Sequence, residues 1–336
     1  MASFDEVLKD CTKLGTKIQT SEYLKNGTYP IIDQGQDNIA GYFDTENGLF
    51  KDVPAIVFGD HTRIVKYIDK PCFLGADGVK LLCPVSKNTN CKYLFYQLAH
   101  ADIPNTGYNR HFKWVKALEF KIPSLEEQNH IVNVLDKIST LITFRKQQLA
   151  KLDELVKARF VEMFGNKDYP RMKWNDVFNT TTGKLDSNAA VANGKYPFFT
   201  CSKEPLKIDS YAFDQTALLL TGNNASGKYD VKYYQGKFNA YQRTYVLSLK
   251  HNWSYKLFQY QLEDKLLYLQ TKSLGGLTKY LTLKILGELD FIVPPLALQN
   301  EFAAFVEHVD EQKQTVQQSL EKLELMKKAL MQEYFG

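Results

Sequence analysis

Apolar side chains return at steps of four and three residues along one stretch of the chain: Ile131, Leu135, Ile138, Ile142, Leu149, Leu152, Val156 and Met163, with Arg145 and Arg159 in the same register. This is the heptad spacing of a helix that lays a narrow seam against another helix. A second seam runs through Phe302, Val306, Val309, Lys313, Val316, Leu320, Leu323, Lys327, Leu330 and Tyr334. Each copy carries two basic residues where the other is apolar: Ile142 with Lys313, Arg145 with Val316, Val156 with Lys327, Arg159 with Leu330. A long basic stem can lie along such a seam with its head in water, so the period survives.

Both seams lie inside a longer duplication. Phe120 to Gly165 recurs without a gap as Phe291 to Gly336, with every matched pair 171 positions apart. The repeat is too long for the common solenoid units and implies two related halves. Pro123 and Pro294 sit where each helix should begin, since a missing N–H costs little there. About forty residues at about 1.5 Å each predict rods of roughly 60 Å. Antiparallel pairing of the two rods would put the regions that precede them at opposite ends.

Those regions are patterned differently. Short β-type runs bounded by Gly, Asn, Asp and Pro appear at 55–58, 63–68, 217–220, 229–234 and 244–249, with helix expected over 93–100 and 255–270. The reading is an α+β chain: a mixed globular domain over 1–119, a helical repeat over 120–165, a second globular domain over 166–290 and a second helical repeat over 291–336. The globular parts also align faintly. Tyr29 and Pro30 match Tyr196 and Pro197, Gly59 matches Gly222, and Phe73 matches Phe238. Two modules that share a scaffold but read different things would diverge in this way.

Composition narrows the setting. With 336 residues, 44% of them apolar, the chain can bury ordinary cores. Its five cysteines form no C-x-x-C pair and suit neither a disulfide framework nor a zinc site, which points to a reducing cytoplasm. The start, MASFDEVLKD, has acids where a signal peptide needs a basic, then apolar, segment, so export is not expected. Apolar runs such as 217–220 are too short to span a bilayer. A net charge of +4 permits nucleic-acid binding without requiring it.

One segment imitates a catalytic motif. Gly222 to Lys228 satisfies G-x-x-x-x-G-K after a strand-like run, yet Tyr229 stands where a phosphate loop needs Ser or Thr for magnesium, and an alternating strand pattern follows instead of a helix. A hairpin tip is expected there. The six histidines fall in no metal spacing, and no G-x-S-x-G elbow or methyltransferase motif occurs. No catalytic residue, metal site or cofactor is therefore assigned to this chain.

Polar loop residues offer a different chemistry. His61 and Arg63 with Asp60 in the first half, and Asn223, Asn224, Ser226 and Lys228 in the second, have side chains that hydrogen-bond base edges and phosphates. Arg110, His111 and Lys113, then Gln242 with Arg243, and Lys279 with Tyr280 complete the candidate DNA contacts.

The twin signatures IPSLEEQ (122–128) and VPPLALQ (293–299), each opening a helix that closes on MFG or YFG, with unlike modules before them, resemble the specificity subunits of type I restriction-modification systems. The resemblance covers nearly the whole chain. It implies two target recognition domains that each read half of a bipartite double-stranded DNA sequence, separated by antiparallel coiled-coil helices that act as a ruler. It implies docking of modification subunits, two per chain, and of restriction subunits, with Pro123, Leu125, Gln128, Pro294, Leu296 and Gln299 as docking residues. S-adenosylmethionine, ATP and magnesium would then belong to those partners and not to this chain. Relatives of the family also serve enzymes with methylase and nuclease fused. A coiled-coil scaffold that does not touch DNA is the rival from another class, and it leaves two diverged β-rich modules without a reason.

Overall fold

The duplicated sequence folds as two units whose shared elements come in the same order, with a few short elements in the second that the first lacks. The computed structural model describes residues 1–75, 77–165, 167–225 and 227–336. One unit comprises 1–147 with 316–336, and the other 148–315, so each takes a globular module together with part of both long helices.

The first unit runs through β1 (Ala2–Ser3), α1 (Phe4–Val7), β2 (Leu8–Asp10), β3 (Tyr29–Ile32), β4 (Gly41–Phe43), β5 (Ala55–Gly59), β6 (Val65–Ile68), β7 (Phe73–Leu74), β8 (Val79–Pro84), α2 (Cys91–His100), α3 (Phe112–Lys116), β9 (Glu119–Phe120) and α4 (Leu125–Phe164). One sheet has the order β2-β8-β5-β6 and a smaller one β4-β3-β7. Every residue of β5 is buried, because both faces of this central strand are covered. Ile56 and Phe58 point into a core shared with Tyr93 and Leu94 of α2, Phe112, Ile131 and Leu135. Ala55 and Val57 point the other way, onto Cys72, Leu74, Val79 and Leu81, as a period of two requires. Asn90 caps α2 by accepting from Lys92 N at 2.8 Å and Tyr93 N at 3.2 Å.

The second unit contains β10 (Arg171–Lys173), α5 (Trp174–Val177), β11 (Phe178–Thr182), β12 (Tyr196–Phe199), β13 (Leu206–Ile208), β14 (Phe213–Thr221), β15 (Asn223–Asn224), β16 (Val231–Ala240), β17 (Thr244–Leu249), α6 (Tyr255–Asp264), α7 (Leu266–Lys272), β18 (Lys279–Tyr280), α8 (Leu283–Gly287), β19 (Asp290–Ile292) and α9 (Leu296–Phe335). Its main sheet has the order β11-β17-β14-β16-β12-β13. Tyr29 and Tyr196 open the equivalent strands β3 and β12. The other two matches are one residue out of register. β3 runs parallel to β7 through Ile31 and Phe73 and β12 runs parallel to β16 through Phe198 and Asn239, so Phe73 corresponds to Asn239. Gly59 N on Ile64 O corresponds to Thr221 N on Asp230 O, so Gly59 corresponds to Thr221. What differs is continuity. Between β6 and β7 the chain passes Pro71, which has no N–H to donate and restricts the residue before it. The equivalent β16 continues through Gly236, at φ +122°, and so joins the two sheets into one.

Three local expectations need adjustment. Arg63 is a turn residue with φ +62° and not the start of a strand. Strands β14 and β16 extend beyond the expected runs, and Tyr229 precedes β16. The helix expected over 255–270 breaks at Lys265 into α6 and α7, each keeping a leucine, Leu262 and Leu269, fully buried.

The helix seams are as the heptads predict. In the first unit Ile131 and Leu135 of α4 are buried in the same cluster as Met331 of α9. Arg145 Nε donates to Ser319 Oγ at 3.2 Å, so rising numbers in α4 meet falling numbers in α9. In the second unit Phe160 and Phe164 face Phe302 at ring distances of 5.6 and 5.7 Å. The basic interruptions lay their stems in the seam and pair their heads at its edge: Arg159 with Glu301 at 2.7 Å and Lys313 with Asp153 at 2.5 Å. Such edge pairs contribute at most about 1 kcal/mol each, whereas a fully buried Leu or Phe contributes about 1.5–3. The apolar seam holds these helices together.

Candidate nucleic-acid interface

In the first unit the turn between β5 and β6 is tied to three other loops through polar groups. Asp60 is 4% exposed. Its N–H donates to Gly78 O at 2.7 Å, its carbonyl accepts from His111 N at 2.8 Å, and its Oδ1 accepts from Phe112 N at 2.7 Å. His111 Nδ1 also lies 2.9 Å from Asp60 O. A carbonyl can only accept, so Nδ1 carries the proton and Nε2 is left to accept from Thr106, whose Oγ1 is 3.3 Å away. Gln34 is the third tie. Its Oε1 accepts from His61 N at 3.2 Å, its carbonyl accepts from Thr62 Oγ1 at 2.7 Å, and its Nε2 donates to Asp77 O at 3.1 Å.

The second unit reaches the same arrangement by strand pairing. Asn223 and Asn224 form β15, which pairs with Tyr280 and Lys279 of β18. Gly222 N donates to Arg243 O at 2.7 Å, and Leu281 N donates to Gly222 O at 2.8 Å. Asn223 Oδ1 accepts from Cys201 Sγ at 2.8 Å. Beside this cluster lies a recess of about 350 Å³, lined by Thr200, Cys201, Ser202, Asn223, Asn224 and Thr278 among others. Residues far apart in sequence thus form one polar face: Asn223, Asn224, Arg243, Lys279 and Tyr280.

The candidates separate by exposure. Arg110, Lys113, Lys228, Gln242, Arg243 and Tyr280 are exposed, and His61, Asn223, Asn224 and Lys279 are half-buried. Gln242 Nε2 already donates to Asp186 Oδ2 at 3.2 Å. Arg63 is half-buried with Nη1 donating to Ile103 O at 3.0 Å, so it braces the turn. Ser226 lies outside the described residues. His111 must be corrected: it is fully buried, and both ring nitrogens are used inside the unit, so it supports the loop instead of contacting DNA.

The docking candidates need a similar correction. Gln128 and Gln299 are each 1% exposed. Gln128 accepts from Asn90 N at 2.9 Å and donates to Pro123 O at 2.9 Å, while Gln299 accepts from Ser254 N at 3.0 Å and donates to Pro294 O at 2.8 Å. They fasten each long helix to its own module. Pro294 is buried and Pro123 half-buried. Leu125 and Leu296, 42% and 41% exposed, present an apolar side chain on the first turn of α4 and of α9.

Two lysines escaped the sequence reading. Lys66, 5% exposed, donates to Asp37 O at 2.5 Å and lies 3.4 Å from Asp33 Oδ1. Lys232 stands at the same place in the second unit, donating to Ser202 O at 3.2 Å and pairing with Asp230. Each clamps the loop that follows β3 or β12. The repeated tripeptide Val-Lys-Tyr, at 65–67 and 231–233, was the available signal.

The phosphate-loop reading is settled by topology. Gly222 to Lys228 falls in the connection between the antiparallel strands β14 and β16, so no helix N-terminus follows to face a phosphate. Burial pushes the Cys72 and Cys91 thiols up to about 12, far from nucleophilic range. Among the described residues no group of His, Cys, Asp and Glu could hold a metal, and no helix is long and apolar enough to cross a membrane.

Comparison with known proteins gives this geometry a family. The chain is 50% identical over 80 residues to the type I restriction enzyme EcoDI specificity subunit of Escherichia coli, a stretch that is 24% of this chain and 17% of that protein. It is 26% identical over 137 residues to the EcoR124I/EcoR124II specificity subunit of Escherichia coli, covering 37% of this chain and 34% of that one. Among solved structures, the S subunit of a type I restriction-modification system from M. genitalium superposes with a TM-score of 0.63 at 18% identity, covering 99% of this chain and 95% of that one. A chain from a structural study of complex assembly and conformational transition in the type I R-M system gives 0.50 at 15% identity, with the same coverages of 99% and 95%. At these identities the structural likeness is one of fold. The family described as type I restriction modification DNA specificity domain matches residues 5–154 and again 166–325, and the chain belongs to it.

Proposed function

We propose that the chain is the sequence-specificity subunit of a type I restriction-modification complex, reading a bipartite double-stranded DNA target with one half-site per unit. The observation that carries this reading is the twofold occurrence of the family match, once over each module. Each module also gathers separate loops into one braced polar face, with exposed Arg110 and Lys113 in the first unit and Arg243 and Lys228 in the second. Fixed loops of this kind hold base-reading side chains in register, and cations beside them favour phosphate.

The chain's part is recognition without chemistry. Methyl transfer with S-adenosylmethionine, and ATP- and magnesium-dependent cleavage, belong on this reading to modification and restriction subunits working in the cytoplasm. The exposed Leu125 and Leu296 suit contact with modification subunits, two per chain. Methylome sequencing of a host that expresses the chain with a modification subunit is the direct test. A methylated motif of two short specified sequences around an unspecified spacer is expected. Unchanged methylation in the presence of both proteins would refute the proposal.

A further inference from the structure

The two most exposed large apolar side chains among the described residues are Leu277, at 96%, and Tyr108, at 89%. A lone exposed apolar residue is ordinary. These two lie on corresponding loops, those that lead into α3 and α8, Tyr108 four residues before Phe112 and Leu277 six before Leu283. Both loops are held. Leu274 and Tyr280 exchange backbone hydrogen bonds of 3.0 and 2.9 Å, and β15 pairs with β18 below the apex. The Tyr108 ring lies flat on His61, with centroids 4.7 Å apart and planes 9° apart, and His61 Nδ1 is 3.2 Å from Asn109 O. Gly107 at φ +78° and Gly275 at φ +98° supply the left-handed backbone that turns each apex outward.

The surroundings indicate what these tips meet. Residues 103–118 contain no Asp or Glu and carry Arg110, Lys113 and Lys116. Residues 265–287 likewise contain no acid and carry Lys265, Lys272, Lys279 and Lys284. In a chain of 42 basic and 38 acidic residues, two acid-free basic stretches at equivalent places match a polyanion. Tyr108 is a single apolar group among Asn105, Thr106 and Asn109, and Leu277 stands beside Thr278 above the exposed Leu274 and Tyr280, so each apex is a narrow projection.

We propose that Tyr108 and Leu277 are wedges that enter the base stack of bound duplex DNA, one in each half-site. This rests on the DNA-reading function proposed above. A side chain inserted between base steps unstacks them, and contacts that the deformation allows offset the cost. Tyr108 brings a flat face already backed by His61, and Leu277 brings a compact branched end. The wedges make their own steps sensitive to how easily a sequence unstacks, which adds discrimination without a hydrogen bond to a base.

The test uses duplexes that carry the methylated motif, with 2-aminopurine placed at each position in turn except the methylated adenine, whose extrusion would raise the signal by itself. The chain is added with its modification subunits to saturation, followed by anisotropy. Fluorescence is expected to rise at one step in each half-site. Tyr108→Ala should abolish one rise and Leu277→Ala the other, while Tyr108→Phe and Leu277→Met keep them. Both side chains are so exposed that truncation removes little packing, and matched melting curves check this. A rise that persists in both alanine variants, or no rise in a duplex that the wild-type complex binds, overturns the wedge. Failure of the wild-type complex to bind the duplex overturns the DNA-reading function itself, and the wedge with it.

Discussion

Asn90 donates its backbone N–H to Gln128 Oε1 at 2.9 Å, and in the other unit Ser254 donates to Gln299 Oε1 at 3.0 Å. Each glutamine joins the start of a module helix to the start of a long one, and its Nε2 is used on the carbonyl of Pro123 or Pro294. Leucine at either site leaves a donor and an acceptor at this largely covered junction without their partner, at no more than about 1–3 kcal/mol for each such group. Gln128→Leu should therefore lower hydrogen-exchange protection in α2 and the first turns of α4, and Gln299→Leu in α6 and α9. The exposed Glu126→Ala change should have little effect. Equal protection in Gln128→Leu and the wild type would mean that this link does not anchor the helix.

Lys327 gives a pH dependence whose sign can be fixed in advance. It occupies the seam position where the first repeat has Val156. Burial first, and the neighbouring Lys146 second, hold its pKa below the ordinary 10.5, against a smaller opposing pull from Asp136. The unfolded chain then binds more protons than the folded one between the folded pKa and 10.5, so the Lys327 contribution to stability rises with pH across that window. Below the window the charged amine is a fixed cost. Lys327→Met should be the more stable protein at neutral pH, and its advantage should shrink as the pH climbs toward 10.5. Urea titrations of both proteins at several alkaline pH values measure the difference, and an advantage that grew with pH would contradict the burial argument.

Much of this was legible in the sequence because it depends on periods. The heptads of α4 and α9, the duplication, and the match of Tyr29 with Tyr196 are local or repeated signals, and the fold keeps them, whereas the match of Phe73 with Phe238 is one residue out of register. The chemistry of Gln128, Gln299 and His111 was misread because burial depends on what a distant loop brings. A repeated glutamine in a signature looks the same whether it meets a partner or Asn90. The strands were underestimated for a related reason: β16 runs through Gly236, which propensity counts as a break, because pairing with β14 on one side and β12 on the other holds it extended. The convergence of Asn223 with Tyr280 had no signal at all, since β15 and β18 are two residues long.

Gly222 probes whether the tip of the second unit must keep its shape. A Cβ there would lie 2.3 Å from the carbonyl oxygen of Arg243 and 3.0 Å from the Tyr245 ring. The nearer atom is backbone, so Gly222→Ala has to push β15 and the chain around Arg243 apart. The expected result is loss of sequence discrimination at one half-site, with the other read as before, in methylation assays on substrates carrying single-base changes. Full discrimination at both would mean that the tip takes no part in reading.

Exposed Arg243 and half-buried Asn223 separate two kinds of contact on the same face. A side chain that reads a base edge by a bidentate pair contributes about 1–3 kcal/mol of discrimination at one base pair. A side chain on a phosphate weakens binding to all sequences alike and lowers the salt slope by about 0.9 per contact on B-DNA. Asn223 is held by Cys201 and by its pairing with Tyr280, so its amide has a fixed direction, as base reading needs. Asn223→Ala is expected to relax one position of one half-site at unchanged salt slope. Lys228→Ala, which removes an exposed flexible cation, should lower the slope without changing the motif. Arg110→Ala, in the first unit, should act on the opposite half-site or on the slope alone. Affinities measured at several salt concentrations on matched and single-mismatch duplexes distinguish these outcomes. If Asn223→Ala and Arg110→Ala relaxed the same half-site, the assignment of one half-site to each unit would be wrong.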